Sequence, residues 1–175
     1  MPEQIATDRL ILRRHKQEDL DAFAAFLADA DATRYLAFTP EQKTRAGAAQ
    51  MLDYVTSAYD TEAAVFSLTI ADPETDEYLG SCGASSRGEE IEIYYTVVPH
   101  RQREGIATEA ARALVDHLRR DGQSGLVAYV VEENAASIAV ARHLGFTDSG
   151  LVERHASTGD LQHEEMVGHK YVLAG

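Results

Sequence analysis

The run from Glu92 to Ala111, EIYYTVVPHRQREGIATEAA, changes period in its middle and so forces two unlike elements to lie end to end. Glu92 to Val98 is β-branched and aromatic, the composition a pleated strand prefers, and Pro99 closes it because proline cannot donate to a ladder. From Gly105 onward, Ile106, Ala110, Leu114 and Leu118 recur every four residues with Ala107, Ala111 and Val115 beside them, which is one apolar helix face. Between the two lies His100-Arg101-Gln102-Arg103-Glu104-Gly105. A loop that sets a helix N-terminus just past a strand end, with a glycine to allow close backbone approach, offers unpaired N–H groups and a positive dipole end to an anion. That is the chemistry of holding a phosphate or diphosphate. The spacings G-x-G-x-x-G and G-x-x-x-x-G-K-[ST] are both absent, so neither a dinucleotide fingerprint nor a triphosphatase loop accounts for it.

The chain of 175 residues, 45% hydrophobic and without a low-complexity tract, is expected to form one domain over residues 1–175. Its longest apolar runs, such as Leu126–Val131, fall far short of the ~20 residues that span a bilayer, and MPEQIATDRL does not open as a signal peptide does. A soluble, unsecreted, cytoplasmic protein is expected. Cys82 is the single cysteine; it reads as a small buried hydrophobe and fits a reducing compartment. Sixteen Lys and Arg against 29 Asp and Glu give a formal charge of −13, which excludes nucleic acid and anionic membranes as main partners. The same charge favours a cationic partner such as an amine, while solubility or a salt-rich host explains it equally well. Arg101, Arg103, Arg112, Arg119 and Arg120 are expected to gather positive charge around the proposed phosphate loop.

Alternation around Leu10 and Leu12 predicts a first strand over Ile5–Arg14. A helix over Gln17–Asp29 follows, with Leu20, Phe23, Ala24 and Leu27 on one face. Thr39-Pro40-Glu41-Gln42 predicts the start of a second helix, to about Tyr59, with Thr39 and Gln42 as a capping box. Val65–Ala71 and Tyr78–Ala84 read as a hairpin, Leu126–Val131 as a buried strand, and Asn134 as the cap of a short helix stopped by Gly145. Strands from Phe146 to about Arg154 and over Met166–Leu173, separated by a polar turn at Ala156–Gln162, complete the order β-α-α-β-β-β-α-β-α-β-β. Strand-helix alternation in the second half predicts a mixed sheet that is parallel there.

Three segments carry a family resemblance: Thr7-Asp8-Arg9-Leu10-Ile11-Leu12-Arg13, Gln102-Arg103-Glu104-Gly105-Ile106-Ala107 with Thr108-Glu109-Ala110, and Asn134-Ala135-Ala136-Ser137 ending in Leu144-Gly145-Phe146. They resemble the GNAT superfamily of N-acetyltransferases, in particular the branch of ribosomal-protein serine and alanine N-terminal acetyltransferases. The resemblance implies a single-domain α/β (α+β in some schemes) GNAT fold, with a seven-stranded mixed sheet splayed between its fourth and fifth strands and about four helices. It also implies acetyl-coenzyme A as co-substrate and no metal. The pantetheine arm is then expected along Thr96, Val97 and Val98, and the diphosphate on the amides of Arg103, Glu104, Gly105, Ile106, Ala107 and Thr108. Ala107 stands where the signature has glycine, which suggests ordinary helical angles there.

Acetyl transfer to an amine requires a neutral amine near the thioester carbonyl, a stabilised oxyanion and a proton for the departing thiolate. Glu92 occupies the position where some family members carry a general base; a solvated strand carboxylate paired with an arginine is the competing reading, and Glu90 is the substitute. Many relatives carry an acidic tyrosine where this chain has Ala141, and the ribosomal-protein branch instead places a serine at the position of Ser137. Ser137 is thus a candidate donor to the thiolate or simply part of a helix turn, and Asn134 a helix cap that can also bond the pantetheine. Tyr94 and Tyr95 are expected on opposite strand faces, one lining the acceptor pocket and one in the core, with Tyr35 and Phe38 on the acceptor side. His163 and His169 are six residues apart in a strand-like segment, so no zinc site is expected. These readings describe transfer in a ternary complex to a primary amine, a protein N-terminus or a small molecule; an acyl-coenzyme A sensor is the alternative. No apolar seam marks an interface, which leaves monomer and homodimer open.

Overall fold

In a computed structural model of the chain, residues 2–61, 65–154 and 166–174 are described. The turn expected at Ala156–Gln162 and the side chain of His163 lie outside them. Among the described residues, one eight-stranded sheet runs in the order β1-β2-β3-β4-β5-β6-β8-β7. Its strands are β1 (Gln4–Ala6), β2 (Ile11–Arg13), β3 (Phe66–Ala71), β4 (Tyr78–Arg87), β5 (Glu90–Val97), β6 (Leu126–Val131), β7 (Phe146–Arg154) and β8 (Met166–Leu173). The helices are α1 (Leu20–Ala28), α2 (Ala30–Thr33), α3 (Arg45–Ala58), α4 (Ile106–Arg120) and α5 (Ala135–His143). All pairings are antiparallel except β5 with β6, which is parallel.

Three expectations are corrected. The first strand is two short strands, because Thr7 turns the chain: its hydroxyl accepts from the Leu10 amide at 2.9 Å and its own amide bonds the Leu10 carbonyl at 2.9 Å. This adds an eighth strand. The Thr39–Gln42 capping box forms, with the Thr39 amide donating to Gln42 Oε1 and the Gln42 amide to Thr39 Oγ1, but α3 starts later, capped by Thr44 on the Gly47 amide. A Cβ on Gly47 would stand 2.1 Å from the Glu41 carbonyl oxygen, so the capping-box turn folds back onto α3 instead of continuing into it. A further short helix, α2, begins where Asp29 caps the Ala32 amide.

Alternation along β3, β4 and β5 gives the sheet two unlike faces. Leu68, Ile70, Cys82, Ala84, Ile93 and Val97 pack with the α4 residues Ile106, Ala110, Leu114 and Leu118 in the main core. On the opposite face the register sets Ser67 beside Gly83, Thr69 beside Ser81, Ser81 beside Thr96, Gly83 beside Tyr94 and Ser85 beside Glu92. Ser67, Thr69, Ser81 and Glu92 are nevertheless buried. Helices α1 to α3 roof this polar face around a small cluster of Ala24, Phe26, Leu27 and Ala48.

Candidate active site

Strands β5 and β6 pair only at Ile91 with Leu126 and Glu92 with Val127, then diverge. Beyond that point β5 has a backbone edge without its neighbour. The Ile91 amide faces β6, bonding the Gly125 carbonyl, while the Val98 amide faces β4, bonding the Leu79 carbonyl at 2.9 Å. By alternation Ile93, Tyr95 and Val97 turn their amides and carbonyls to the gap, and Gln102 Nε2 already donates to the Val97 carbonyl at 3.2 Å. Thr96 instead bonds Ser81 across to β4 through its hydroxyl.

The divergence opens a cavity of about 530 Å³ between the polar sheet face, the helical roof and the start of α5. Glu92, Thr96, Asn134 and Ser137 all line it, so four sequence-derived site residues meet in one space. Glu92 Oε2 accepts from Arg87 Nε at 3.0 Å, the arginine pairing of the competing reading, but the residue is buried and not solvated as that reading expected. Glu90 lies outside the cavity lining and is bonded by Lys170 and Tyr129. Asn134 Oδ1 accepts from the Ser137 amide at 3.1 Å and caps α5, which leaves its NH₂ to donate elsewhere. Ala141 is buried in the core, so no hydroxyl stands at that helix position. Tyr95, from the opposite arm of the gap, donates to the Ser137 carbonyl at 3.1 Å and so ties β5 to the first turn of α5.

The loop before α4 has the geometry of a backbone anion cradle. Arg103 and Gly105 both have positive φ, +65° and +80°, and Gly105 caps α4 with no side-chain bond to its first amides. The first turn is held from outside: Thr7 Oγ1 donates to Glu109 Oε1 at 2.6 Å, Arg9 Nη2 lies 2.6 Å from Glu109 Oε2, and Arg9 Nη1 donates to the Glu104 carbonyl. Burial works to raise the Glu109 carboxyl, but these hydrogen bonds outweigh it and hold the group below its ordinary value. The expected cluster of five arginines does not form. Arg101 pairs with Glu77 and Glu104, and Arg112 donates to the His143 carbonyl. A rise of about 1.5 Å per residue carries Arg119 and Arg120 to the far end of α4, roughly 20 Å away.

A hydrogen-bonded chain under the cavity floor was not anticipated. Tyr94 Oη donates to Ser67 Oγ at 2.5 Å, Ser67 Oγ lies 2.8 Å from His15 Nε2, and His15 Nδ1 lies 2.7 Å from Thr69 Oγ1. Thr69 donates to Asp19 Oδ2 at 2.8 Å, and Arg13 grips both Asp19 oxygens at 2.8 and 2.9 Å. Tyr94, Ser67 and His15 line the cavity. Burial works to raise the Asp19 carboxyl, and Arg13, the Lys16 amide and Thr69 outweigh it, so it stays ionised. The roof adds Phe23, Phe26, Leu36, Met51 and the expected Tyr35 and Phe38, which makes that end of the cavity apolar. Tyr35 also reaches across to donate to the Glu133 carbonyl at 3.2 Å.

Cys82 is fully buried, its thiol pushed up to about 12 by desolvation, as a small core residue. His169 lies in β8 with Nδ1 2.7 Å from Asp148. Among the described residues, no group of metal-binding side chains gathers and no helix is long and apolar enough to cross a membrane.

Residues 9–147 match the family model described as acetyltransferase (GNAT) domain. The chain is 30% identical over 155 residues to p20 of Bacillus licheniformis, an uncharacterised N-acetyltransferase, covering 86% of this chain and 85% of that one. The ribosomal L7/L12 α-N-protein acetyltransferase RimL, solved in complex with coenzyme A, superposes with a TM-score of 0.75 at 19% identity, covering 97% of each chain. RimJ of Mycobacterium smegmatis, in complex with a coenzyme A disulfide, gives 0.75 at 19% identity, covering 94% of this chain and 81% of that one. At those identities the two structures speak for the fold. With the family model spanning both the cradle and the start of β7, and with the splayed mixed sheet behind it, the chain belongs to the GNAT acetyltransferase family and is an acetyltransferase.

Proposed function

We propose that this single-domain, cytoplasmic enzyme transfers the acetyl group of acetyl-coenzyme A directly to a primary amine, in a ternary complex. One observation carries the reading: the gap between β5 and β6 opens into a cavity onto which Glu92 and Ser137 both face. In this reading the diphosphate rests on the amides of Arg103 to Thr108, where left-handed turns and the α4 dipole favour an anion. The pantetheine pairs as an added strand with the gap-facing edge of β5, at Val97 as expected and also at Ile93 and Tyr95, with Asn134 donating from the other side. Thr96 and Val98 then frame the edge, since the Thr96 backbone and the Val98 amide face β4 and the Val98 carbonyl accepts from the Arg101 amide.

Glu92 acts as the general base on the amine, directly or through water, with Arg87 orienting its carboxylate. The nucleophile is the neutral amine; the C–N bond forms as the C–S bond breaks, the amine proton goes to Glu92, and the leaving thiolate takes a hydrogen bond from Ser137. The apolar roof around Phe23, Phe26 and Phe38 favours an acceptor whose amine is attached to an apolar body, such as a peptide N-terminus with a large second side chain or an arylalkylamine. Purified protein with acetyl-coenzyme A and a panel of these amines tests the reading by thiol release. Turnover is expected, with kcat lowered about 100-fold in Glu92→Gln and about tenfold in Ser137→Ala at unchanged coenzyme affinity. Silence across the panel, or full activity in both variants, would count against it.

A further inference from the structure

The polarity of the chain under the cavity floor is fixed from its far end. Asp19 is ionised and held by Arg13, so it can only accept. Thr69 has one hydroxyl hydrogen and gives it to Asp19, so the contact with His15 Nδ1 has to be made by a ring N–H. Burial pushes the His15 pKa down to about 4, so the ring is neutral, Nε2 carries no hydrogen, and Ser67 donates to it. The one hydrogen of Ser67 is used there, and Tyr94 donates its own to Ser67. Each hydrogen in the chain points along it towards Asp19, so the Tyr94 oxygen, on a residue that lines the cavity, has only lone pairs left to offer.

We propose that this chain makes Tyr94 an acceptor-only anchor that orients the incoming amine. The proposal rests on the acetyl-transfer reading above. A neutral primary amine has two N–H donors and one lone pair. Held through an N–H on the Tyr94 oxygen, it keeps the lone pair free for the thioester carbon; a tyrosine with a loose hydroxyl would donate to that lone pair and mask the nucleophile. Tyr94 and Glu92 project from the same face of β5, two residues apart, and both line the cavity, so an acceptor held on Tyr94 lies in the same space as the base. Ser67, His15, Thr69 and Asp19 are positioning residues that act through Tyr94. The other charged or titratable groups around His15 are Arg13, Tyr59, whose hydroxyl accepts the His15 amide, and Asp76 and Lys16 beyond Arg13.

The test compares wild type, Ser67→Ala, Tyr94→Phe and the double variant by steady-state kinetics on phenethylamine at saturating acetyl-coenzyme A, with coenzyme affinity measured by calorimetry. Ser67→Ala frees the Tyr94 hydrogen to mask the amine, so kcat is expected to fall about tenfold or more with KM changed less than about threefold. Tyr94→Phe removes the anchor and is expected to raise KM about tenfold. The double variant is expected to recover kcat above that of Ser67→Ala, because the masking hydroxyl is gone. A general packing defect would not give that recovery. Unchanged kcat in Ser67→Ala, or a double variant no faster than it, overturns the proposal while wild-type turnover keeps the acetyl-transfer reading intact; absence of wild-type turnover overturns both. The tautomer is read without turnover by ¹⁵N NMR of the resting protein, where His15 protonated at Nε2 instead of Nδ1 also overturns the proposal.

Discussion

Arg9 and Glu109 stand 100 positions apart in the chain and meet at 2.6 Å, with the Arg9 amide donating to the same carboxylate at 3.0 Å. Two of the three segments that carry the family pattern are therefore one structural unit. The acidic side chain in the first turn of α4 would repel an anion approaching the cradle; Arg9 neutralises it and, through the Glu104 carbonyl, braces the loop.

Arg9→Ala is expected to weaken acetyl-coenzyme A binding about fivefold, or about 1 kcal/mol, since the pair is partly exposed. Glu109→Gln, which removes the charge that Arg9 balances, should bind at least as well as wild type. Calorimetry on both variants checks this, and an Arg9→Ala protein that binds normally would refute the bracing role.

Gly105→Asp places a carboxylate at the cradle on a residue with φ of +80°. Coenzyme binding should fall more than about 100-fold, while thermal stability falls by only about 1–2 kcal/mol because Asp tolerates the left-handed region. Binding within tenfold of wild type would show that the diphosphate sits elsewhere.

Gly83→Ala should cost about 1–3 kcal/mol in urea unfolding, because its Cβ would lie 2.2 Å from the Phe66 carbonyl oxygen and 2.6 Å from Tyr94 Oη. Displacing Tyr94 should also reduce kcat. A stable, fully active variant would mean that the Tyr94 ring has room to move.

The folded-state pKa of His15, about 4, lies below its ordinary 6.5. Between those values the unfolded chain binds a proton that the folded chain does not, so stability falls as pH drops from about 6.5 towards 4. The loss from this group is up to about 3 kcal/mol. Asp19 and Asp76, held low, add their losses only below about pH 4. Urea midpoints of wild type and His15→Gln at pH 7 and pH 5 should show a shallower acid dependence in the variant; parallel curves would contradict the assignment.

The period change at Glu92–Ala111 was legible because strand and helix patterns are local, and the order of the later elements followed from the same kind of signal. The split of the first strand and the late start of α3 were not, since Thr7, Thr39 and Thr44 can each bond their own backbone and only the packing of Gly47 on Glu41 decides between caps. Counting arginines along the sequence overlooked the length of α4. The floor chain was hidden for a related reason. Ser67 and Thr69, and Glu92, Tyr94 and Thr96, alternate with largely apolar neighbours, which on any one strand reads as a solvent face. Only the register between strands sums them into a buried polar surface, and His15 joins it from 52 positions away.

The seam between β5 and β6 is two residue pairs long. The sheet is thus two plates, β1 to β5 and β6, β8 and β7, joined through the strand ladder at one corner only. A ligand lying in the opening as an added strand, as proposed above, would supply the missing rungs, so occupancy would stiffen the sheet as well as bring the chemistry. At a coenzyme concentration of about 100 times Kd this amounts to about 2.7 kcal/mol of added resistance to unfolding. The lifetime of the enzyme against heat and proteases would then rise and fall with the supply of its own acyl donor.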